Sequence, residues 1–272
     1  MTDYLELNGV PLDPVPPALL RAMGYGHFSS LQVRGRRVHG LPFHVERLDR
    51  SSAELFGHGL PGERSLPLVK SAVERSGRRD ASVRITVFSR RTPEVLAGTR
   101  VEPDVLITVG APIEPTAGAR RLQSVEHERT LPQLKHNGTF DLLHLARRAR
   151  LAGYDDALFT DRAGYVSEAS IWNICFVRGD QLVWPAAAAL PGITRRVIDE
   201  GLARLGVPAE TRPVPLADVT AYDAAFLTNS IDTALPVASI DAHRYEPKPE
   251  ARNLLIAAYE QLGADPLWGN PP

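Results

Sequence analysis

The sequence predicts an α+β protein made of two domains. Segments with the two-residue period of strands and segments with the longer period of helices both occur along the 272 residues, without the regular alternation of a parallel α/β sheet. Residues 110–118, rich in proline, glycine and alanine, break both periods near the middle. We therefore expect a small domain over residues 1–110, a linker over 111–119 and a larger domain over 120–272.

The small domain is predicted to combine a hairpin with two helices. Pro42 suits the first turn of a helix, and apolar residues recur at helical spacing as far as Phe56. The tight turn Arg34-Gly35 between residues 28–33 and 36–40 is typical of a hairpin. The other expected elements are a strand over 4–10, a loop leading into a short helix over 14–23, a helix over 66–75, and strands over 83–88 and 104–109.

The larger domain is predicted to be richer in strands. An apolar stripe of leucine and alanine between Thr139 and Ala152 indicates a helix that ends at Gly153. Further helices are expected over about 193–205 and 248–262. The expected strands cover residues 121–125, 155–160, 164–168, 172–178, 181–184, 224–228 and 235–240.

Composition and charge argue against several classes of protein. A net charge of −1 gives no electrostatic reason to expect nucleic acid or an anionic membrane as partner. No apolar run approaches the roughly 20 residues that cross a bilayer, and the acidic start Met1–Glu6 is unlike a signal peptide. Cys175 is a lone cysteine, and His127, His136 and His144 are not spaced as metal ligands. We expect a cytoplasmic protein without a metal site.

One lysine is a candidate for forming a Schiff base. Only three of 31 basic residues are lysines, and Lys135 stands just before the predicted helix at Thr139. A lysine, unlike arginine, can lose its proton and act as a nucleophilic amine. The alternative is an ordinary surface lysine in a loop.

Two stretches are candidates for holding a phosphate. Leu190–Arg195 places Pro-Gly before a predicted helix, which leaves the backbone N–H groups of Ile193 and Thr194 free to bind an anion. Arg47 lies on the apolar face of the helix that starts at Pro42, where a guanidinium can reach a buried phosphate. The alternatives are a plain strand–turn–helix junction and an arginine that extends to solvent.

Glu168 lies between two apolar strands, where a carboxylate needs a partner. An arginine could provide an ordinary ion pair. Alternatively, the carboxylate could bind a protonated pyridine nitrogen, with Asn173 supporting it. Amine, carboxylate and phosphate donors are together what pyridoxal phosphate requires.

In this order, the stretches resemble the fold-type IV pyridoxal phosphate enzymes, the class IV aminotransferase family. The family includes branched-chain and D-amino-acid aminotransferases and aminodeoxychorismate lyases. The resemblance runs from Gly24 to about Asp241. The matching stretches are residues 43–48, Lys135, 153–158, 164–168 with Asn173, 190–195, and Asn229-Ser230 before 235–237.

The resemblance implies a small α/β N-terminal domain and a larger domain with a β-barrel-like core and flanking helices. It also implies pyridoxal 5′-phosphate as cofactor and a homodimer. Lys135 would form the Schiff base and shuttle the α-proton, and Glu168 would bind the pyridine nitrogen. The phosphate would be held by Arg47, by the backbone of Ile193 and Thr194, and by Ser230.

The sequence leaves two reactions open. Branched-chain enzymes commonly have tyrosine where this chain has Phe140, and many transaminases have Phe-Glu where it has Phe28-Ser29. Aminodeoxychorismate lyases have a Phe-Thr-Thr-like run there, so Ser30 could protonate a departing pyruvate enol. Lys135-His136 and Thr228-Asn229 are also similar to the lyases.

We expect a substrate pocket formed by Tyr25, Phe28, Ser30, Arg84 and Asn229. Arg84 or Arg90 could bind a substrate carboxylate, or either could be a surface strand residue. The favoured function is an aminotransferase that moves an amino group between an amino acid or amine and a 2-oxo acid. The alternatives are a lyase that releases pyruvate to give 4-aminobenzoate and a non-catalytic protein with the same fold.

Overall fold

The computed structural model describes residues 3–12 and 23–268, and these divide into two compact units. Unit 1 holds the described residues up to Glu114, together with Leu134–Gly138 and the residues from Ala264 onward. Unit 2 holds Pro115–Gln133 and Thr139–Gly263. The expected domain limits at residues 110 and 120 stay a prediction. The segment Leu134–Gly138 belongs to unit 1 although the chain on both sides of it belongs to unit 2.

Unit 1 contains a five-stranded antiparallel sheet. Its strands are β1 (Tyr4–Leu7), β2 (Val10–Pro11), β3 (Gly26–Val33), β5 (Ala81–Phe88) and β6 (Asp104–Gly110), in the order β2-β1-β6-β5-β3. A separate antiparallel pair joins β4 (Arg37–His39) to β16 (Ala264–Pro266). The helices are α1 (Leu41–Phe56), α2 (Gly62–Arg75) and α3 (Thr92–Leu96).

The two faces of this sheet differ because side chains alternate along each strand. On one face, Leu31, Val83 and Ile107 belong to a core that also contains Leu48 of α1 and Val69 of α2. The opposite face carries the alternate residues of the same strands, which are more polar. Odd-numbered and even-numbered residues of β3 therefore have different surroundings.

The turn of the predicted hairpin, between β3 and β4, lies one residue later than expected. Arg34 and Arg37 exchange two backbone hydrogen bonds of 3.0 Å, so the turn residues are Gly35 and Arg36 rather than Arg34 and Gly35. Both turn residues have positive φ, +55° and +63°. Such a turn matches the twist of the two strands, which explains why the hairpin uses Arg36 in an unusual conformation.

Unit 2 is organised around a closed ring of six strands. They are β7 (Arg120–Glu126), β8 (Asp156–Thr160), β9 (Val166–Ala169), β10 (Asn173–Arg178), β13 (Ala224–Thr228) and β14 (Leu235–Ile240). The order is β10-β13-β14-β7-β8-β9, and β9 pairs with β10 to close the ring. The expected barrel-like core is confirmed. Three strands extend the sheet beyond the ring: β11 (Gln181–Pro185), β12 (Glu210–Arg212) and β15 (His243–Arg244).

Helices flank this barrel. They are α4 (Phe140–Leu151), α5 (Ile193–Arg204), α6 (Pro249–Gln261) and a 3-10 helix (Leu216–Ala221). One apolar core is formed by strand residues such as Phe176 and Leu227, and a second joins Trp184 and Phe226 to Leu202 of α5 and Leu255 of α6. Among the described residues, no helix is long and apolar enough to span a membrane.

Most of the expected elements are confirmed to within a few residues. The strand expected over residues 4–10 is wrong in its extent, because a turn at Asn8 and Gly9, both with positive φ, divides it into β1 and β2. The sequence also did not predict α3, β12, β15, β16 or the 3-10 helix, which are too short to show a clear period. The loop and short helix expected over residues 14–23 lie outside the described residues, except for Met23.

Candidate active site

The segment that carries Lys135 is paired with β3 of unit 1. The backbone N–H of Phe28 donates to the carbonyl of Lys135, and the N–H of Asn137 donates to the carbonyl of Gly26, each at 2.8 Å. These bonds extend the antiparallel pattern of the sheet beyond its strands. Lys135 is therefore half-buried and held at its backbone, although its segment is not a regular strand.

Gly26 permits this close approach. A Cβ at that position would lie 2.2 Å from the carbonyl oxygen of Val87 and 2.9 Å from the Asn137 Nδ2. The Asn137 amide also donates to the carbonyl of Met23 at 3.1 Å. Gly26 and Asn137 thus fix the position of the backbone from which Lys135 extends.

Four of the predicted site residues meet on the more polar face of this sheet. The Lys135 Nζ lies 4.7 Å from the ring centroid of Phe28, and the Arg84 Cζ lies 3.5 Å from the same centroid. Ser30 is directly opposite Arg84 in the pairing of β3 with β5. Arg84 donates to the Thr86 hydroxyl at 3.3 Å and has no carboxylate partner among the described residues.

Two other predicted pocket residues lie apart from this group. The Tyr25 hydroxyl donates to the carbonyl of Leu55 at 3.3 Å, and its ring packs edge-on against Phe56 at 5.9 Å between centroids. Arg90 forms a salt bridge of 2.9 Å with Asp104. Of the two arginines considered for a substrate carboxylate, only Arg84 therefore lacks an acidic partner within the described chain.

Arg47 is buried on the opposite face of β3. Its guanidinium is only 6% exposed, so it does not extend to solvent. Its Nη2 donates to the hydroxyl of Ser29 at 2.7 Å, while its Nε has no hydrogen-bond partner among the described residues. Burial and the charge of Arg50 lower the pKa of Arg47 to about 9. A buried guanidinium without a carboxylate is suited to an incoming anion.

Two neutral histidines surround this guanidinium. The Nδ1 of His44 lies 2.7 Å from the Ser29 hydroxyl, and the Nε2 of His27 lies 2.9 Å from the Ser52 hydroxyl. Burial, and then the charges of Arg47 and Lys135, lower the pKa of His44 well below its usual value. Burial and the charge of Arg47 lower the pKa of His27 to about 3.

Glu168 is buried in unit 2, opposite Asn173 in the pairing that closes the barrel. Its Oε2 accepts the backbone N–H of Leu190 at 3.2 Å. The Nε of Arg129 lies 3.5 Å from its Oε1, and both side chains are less than a tenth exposed. An ion pair with an arginine, one of the two alternatives for Glu168, is therefore present in this unit.

The Leu190 peptide links this carboxylate to the start of α5. Asn173 donates its amide to the Leu190 carbonyl at 2.8 Å, while the Leu190 N–H is bound by Glu168. A Cβ at Gly192 would lie 1.9 Å from the Asn173 Oδ1, so only glycine fits there without a shift. Helix α5 then begins at Ile193, with no side chain capping its first turn.

The residues predicted to bind phosphate in unit 2 come together at this helix start. The N–H groups of Ile193 and Thr194 have no acceptor among the described residues, as expected for a first helical turn. The Thr194 hydroxyl donates to the carbonyl of Asn229 at 2.7 Å, which brings the next residue, Ser230, beside the turn. The Asn229 Oδ1 accepts two backbone N–H groups of its own loop. Its amide nitrogen has no acceptor among the described residues.

Sequence reasoning missed three polar residues of these clusters. His44 stands in the matching stretch 43–48, and Ser29 shares a strand face with His27 at a spacing of two, so both could have been selected. Arg129 shows no such signal, because its partner Glu168 is distant in the sequence and residue 129 belongs to no periodic segment.

Comparison with known proteins gives a consistent result. A sequence model of the family described as class IV aminotransferases matches residues 26–240. A probable branched-chain-amino-acid aminotransferase from Rickettsia bellii is 28% identical over 255 residues, which cover 88% of this chain and 87% of the relative.

Two solved structures share the fold. A branched-chain aminotransferase from Thermoproteus uzoniensis, solved with norvaline, has a TM-score of 0.84 at 22% identity and covers 97% of this chain and 99% of its own. A putative 4-amino-4-deoxychorismate lyase from Legionella pneumophila has a TM-score of 0.75 at 20% identity, with coverage of 92% and 97%. At these identities the likeness concerns the fold alone.

The contact between Gly192 and Asn173 predicts a non-additive pair of substitutions. Gly192→Ala should lower the free energy of unfolding by about 1–3 kcal/mol, because its Cβ would meet the Asn173 Oδ1. Asn173→Ala removes that oxygen, so the double variant should be more stable than the sum of the two single effects. Urea denaturation of the four proteins measures this.

Gly62→Ala is the control, because a Cβ there meets only the ends of the Val45 and Leu66 side chains, at 3.2 and 3.7 Å. We expect a smaller effect than at Gly192. Strict additivity of Gly192→Ala and Asn173→Ala would contradict the predicted contact.

The buried histidines predict a loss of stability in mild acid. His27 and His44 have lower pKa values in the folded chain than when unfolded, so unfolding takes up protons. The contribution of His27 is complete above about pH 6.5 and is lost as the pH falls towards 3, by up to about 1.4 kcal/mol per pH unit. The contribution of His44 is lost in the same direction. Urea denaturation at pH 7, 6 and 5 should show this decline.

His27→Asn should reduce that slope, because asparagine does not titrate. The exposed His58 provides the control, and His58→Asn should leave the slope as in the wild type. An unchanged slope in His27→Asn would rule out this source of acid sensitivity.

Proposed function

The chain belongs to the class IV aminotransferase family, and we propose that it is a pyridoxal 5′-phosphate-dependent aminotransferase acting on a carboxylated substrate. It would move an amino group between an amino acid or amine and a 2-oxo acid. One observation carries the proposal: Lys135 is fixed at its backbone to β3, with its amine beside the Phe28 ring and on the same face as Ser30 and Arg84. The backbone that carries this amine is part of the hydrogen-bonding pattern of the sheet.

The chemistry of the donor groups fits this cofactor. Arg47 is a buried guanidinium with an Nε that lacks a partner among the described residues, and it suits a phosphate. The N–H groups of Ile193 and Thr194 and the hydroxyl of Ser230 are further phosphate donors. Glu168 provides a buried carboxylate for a protonated pyridine nitrogen.

Each residue then has a distinct task. When bound, pyridoxal 5′-phosphate supplies an electron sink that allows a proton to leave the substrate α-carbon. Lys135 would supply the amine that attaches the cofactor, and its amine would take the substrate α-proton and return it. Glu168 would hold the protonated ring nitrogen, with Arg129 beside the carboxylate and Asn173 holding the adjoining Leu190 peptide.

Arg84 is our candidate for binding a substrate carboxylate. Its guanidinium lies over the Phe28 ring, on the face that carries Lys135, and no described carboxylate neutralises it. A guanidinium in this position favours a substrate with an acidic group. The Phe28 ring offers an apolar surface to the carbon chain, and the Asn229 amide offers a further polar contact.

The similarity to a probable branched-chain aminotransferase makes a branched-chain amino acid the first donor to test. Phe140, which stands where such enzymes commonly have tyrosine, is 75% exposed and starts α4. This difference is the reason to test other donors as well. We further propose a cytoplasmic homodimer, as the family resemblance implies.

A lyase is the second candidate, and Ser30 favours it. Its hydroxyl has no hydrogen-bond partner among the described residues and shares a sheet face with Lys135 and Arg84. A free hydroxyl there could protonate a departing pyruvate enol. The fold shared with a putative 4-amino-4-deoxychorismate lyase agrees with this candidate but does not distinguish a lyase from an aminotransferase.

Substitution of Lys135 tests the shared first step of both reactions. With pyridoxal 5′-phosphate, the wild-type protein should show a visible absorption band and a cofactor adduct after borohydride reduction, whereas Lys135→Ala should show neither. Lys70→Ala and Lys248→Ala are matched controls, because they are the other two lysines of the chain. Formation of the adduct in Lys135→Ala would mean that another amine is used, and a colourless wild type would support the non-catalytic alternative.

A donor screen separates the two reactions. Without an acceptor, the holoenzyme should convert to the pyridoxamine form with at least one amino acid or amine. Branched-chain L-amino acids are tested first, followed by their D-forms. Mass spectrometry of the released cofactor measures the conversion. Absence of conversion with every donor, combined with pyruvate release from aminodeoxychorismate, would replace the aminotransferase by the lyase.

A further inference from the structure

We propose that Ser29 and His44 are a positioning pair that orients the Arg47 guanidinium towards the phosphate of the cofactor. The inference rests on the proposed function, because it takes Arg47 as a phosphate ligand. It adds two residues that are not expected to touch the cofactor. Both act through the guanidinium.

The hydrogen bonds of this cluster form a chain from Arg47 to His44. Arg47 carries donors alone, so its Nη2 donates to the Ser29 hydroxyl at 2.7 Å. The hydroxyl proton of Ser29 is then free to donate to the His44 Nδ1, also at 2.7 Å. We assign His44 the neutral tautomer that accepts at Nδ1, because this arrangement gives the Ser29 proton an acceptor.

The pair is enclosed, so solvent cannot replace it. Ser29 is 0% exposed and His44 is 4% exposed. Without the Ser29 oxygen, the Arg47 Nη2 would lose this acceptor in a place that water does not reach, and the guanidinium would be free to turn. His44 fixes the hydroxyl so that its lone pairs face Arg47.

The choice of a neutral acceptor also has a chemical consequence. A carboxylate at position 29 would form an ion pair with Arg47 and reduce the net positive charge beside an incoming anion. A hydroxyl orients the guanidinium but leaves its full charge for the ligand. This explains why a buried arginine here has a hydrogen-bonding partner yet no acidic one among the described residues.

A second histidine–serine pair on the same helix–strand interface provides a matched control. His27 and Ser52 are also fully buried and lie 2.9 Å apart, but neither is hydrogen-bonded to Arg47. Removal of the Ser52 hydroxyl also deletes one buried hydrogen bond between α1 and β3. It should not change how Arg47 is oriented.

The experiment compares the affinities of the apo-protein for pyridoxal 5′-phosphate and for pyridoxal, which lacks the phosphate, by absorbance titration. Ser29→Ala should raise the Kd for pyridoxal 5′-phosphate about tenfold, the loss typical of a hydrogen bond to a charged group, and change the Kd for pyridoxal less than about twofold. Ser29→Thr should keep the hydroxyl and behave as wild type. Ser52→Ala should leave the ratio of the two Kd values unchanged.

His44→Leu is the second variant, for use if Ser29→Ala does not fold, and it should raise the same ratio because the Ser29 hydroxyl loses its acceptor. Equal ratios in Ser29→Ala and Ser52→Ala would overturn the positioning role. Arg47→Gln separates this from failure of the proposed function. If Arg47→Gln raises the ratio but Ser29→Ala does not, only the positioning pair is wrong. If Arg47→Gln leaves the ratio unchanged, Arg47 does not bind the phosphate and the positioning role fails with it, whereas the proposed function fails only if the wild-type protein forms no cofactor adduct at Lys135.

Discussion

The backbone pairing between residues 134–138 and the start of β3 determines the environment of Lys135. Its two hydrogen bonds, at Phe28 and Asn137, require the close approach that Gly26 allows. They place the lysine beside the Phe28 ring, over which the Arg84 guanidinium also lies. The surroundings of this amine are therefore determined by the pairing of the backbone more than by its own flexible side chain.

Side chains alternate along β3, so its two faces carry different polar groups. Phe28 and Ser30 face the side that carries Lys135, while His27 and Ser29 face helix α1 and the buried Arg47. A shift of register by one residue would exchange the two sets. Pairing of β3 with β5 along its full length, from Gly26 to Val33, fixes that register.

Local periodicity predicted most helices and strands, because apolar spacing reports directly on which face is buried. Residue type and the family resemblance made Lys135 and Glu168 candidates, but neither they nor periodicity could show that Arg129 lies beside Glu168 or that residues 134–138 join β3. Those contacts link segments distant in sequence and leave no periodic trace. The hairpin turn shifted for a geometric reason: two successive residues of positive φ match the strand twist better than the expected pair.

The chain passes between the two units four times, after Glu114, Gln133, Gly138 and Gly263. During synthesis on the ribosome, the N-terminal segment therefore emerges first but lacks both Leu134–Gly138 and its last strand, β16, which pairs with β4. Unit 2 is completed at Gly263, before the final strand of unit 1 has emerged. Consecutive domains usually complete folding from the N-terminus onward, whereas here unit 2 is complete before unit 1. Truncation at one end of the chain therefore produces neither unit whole.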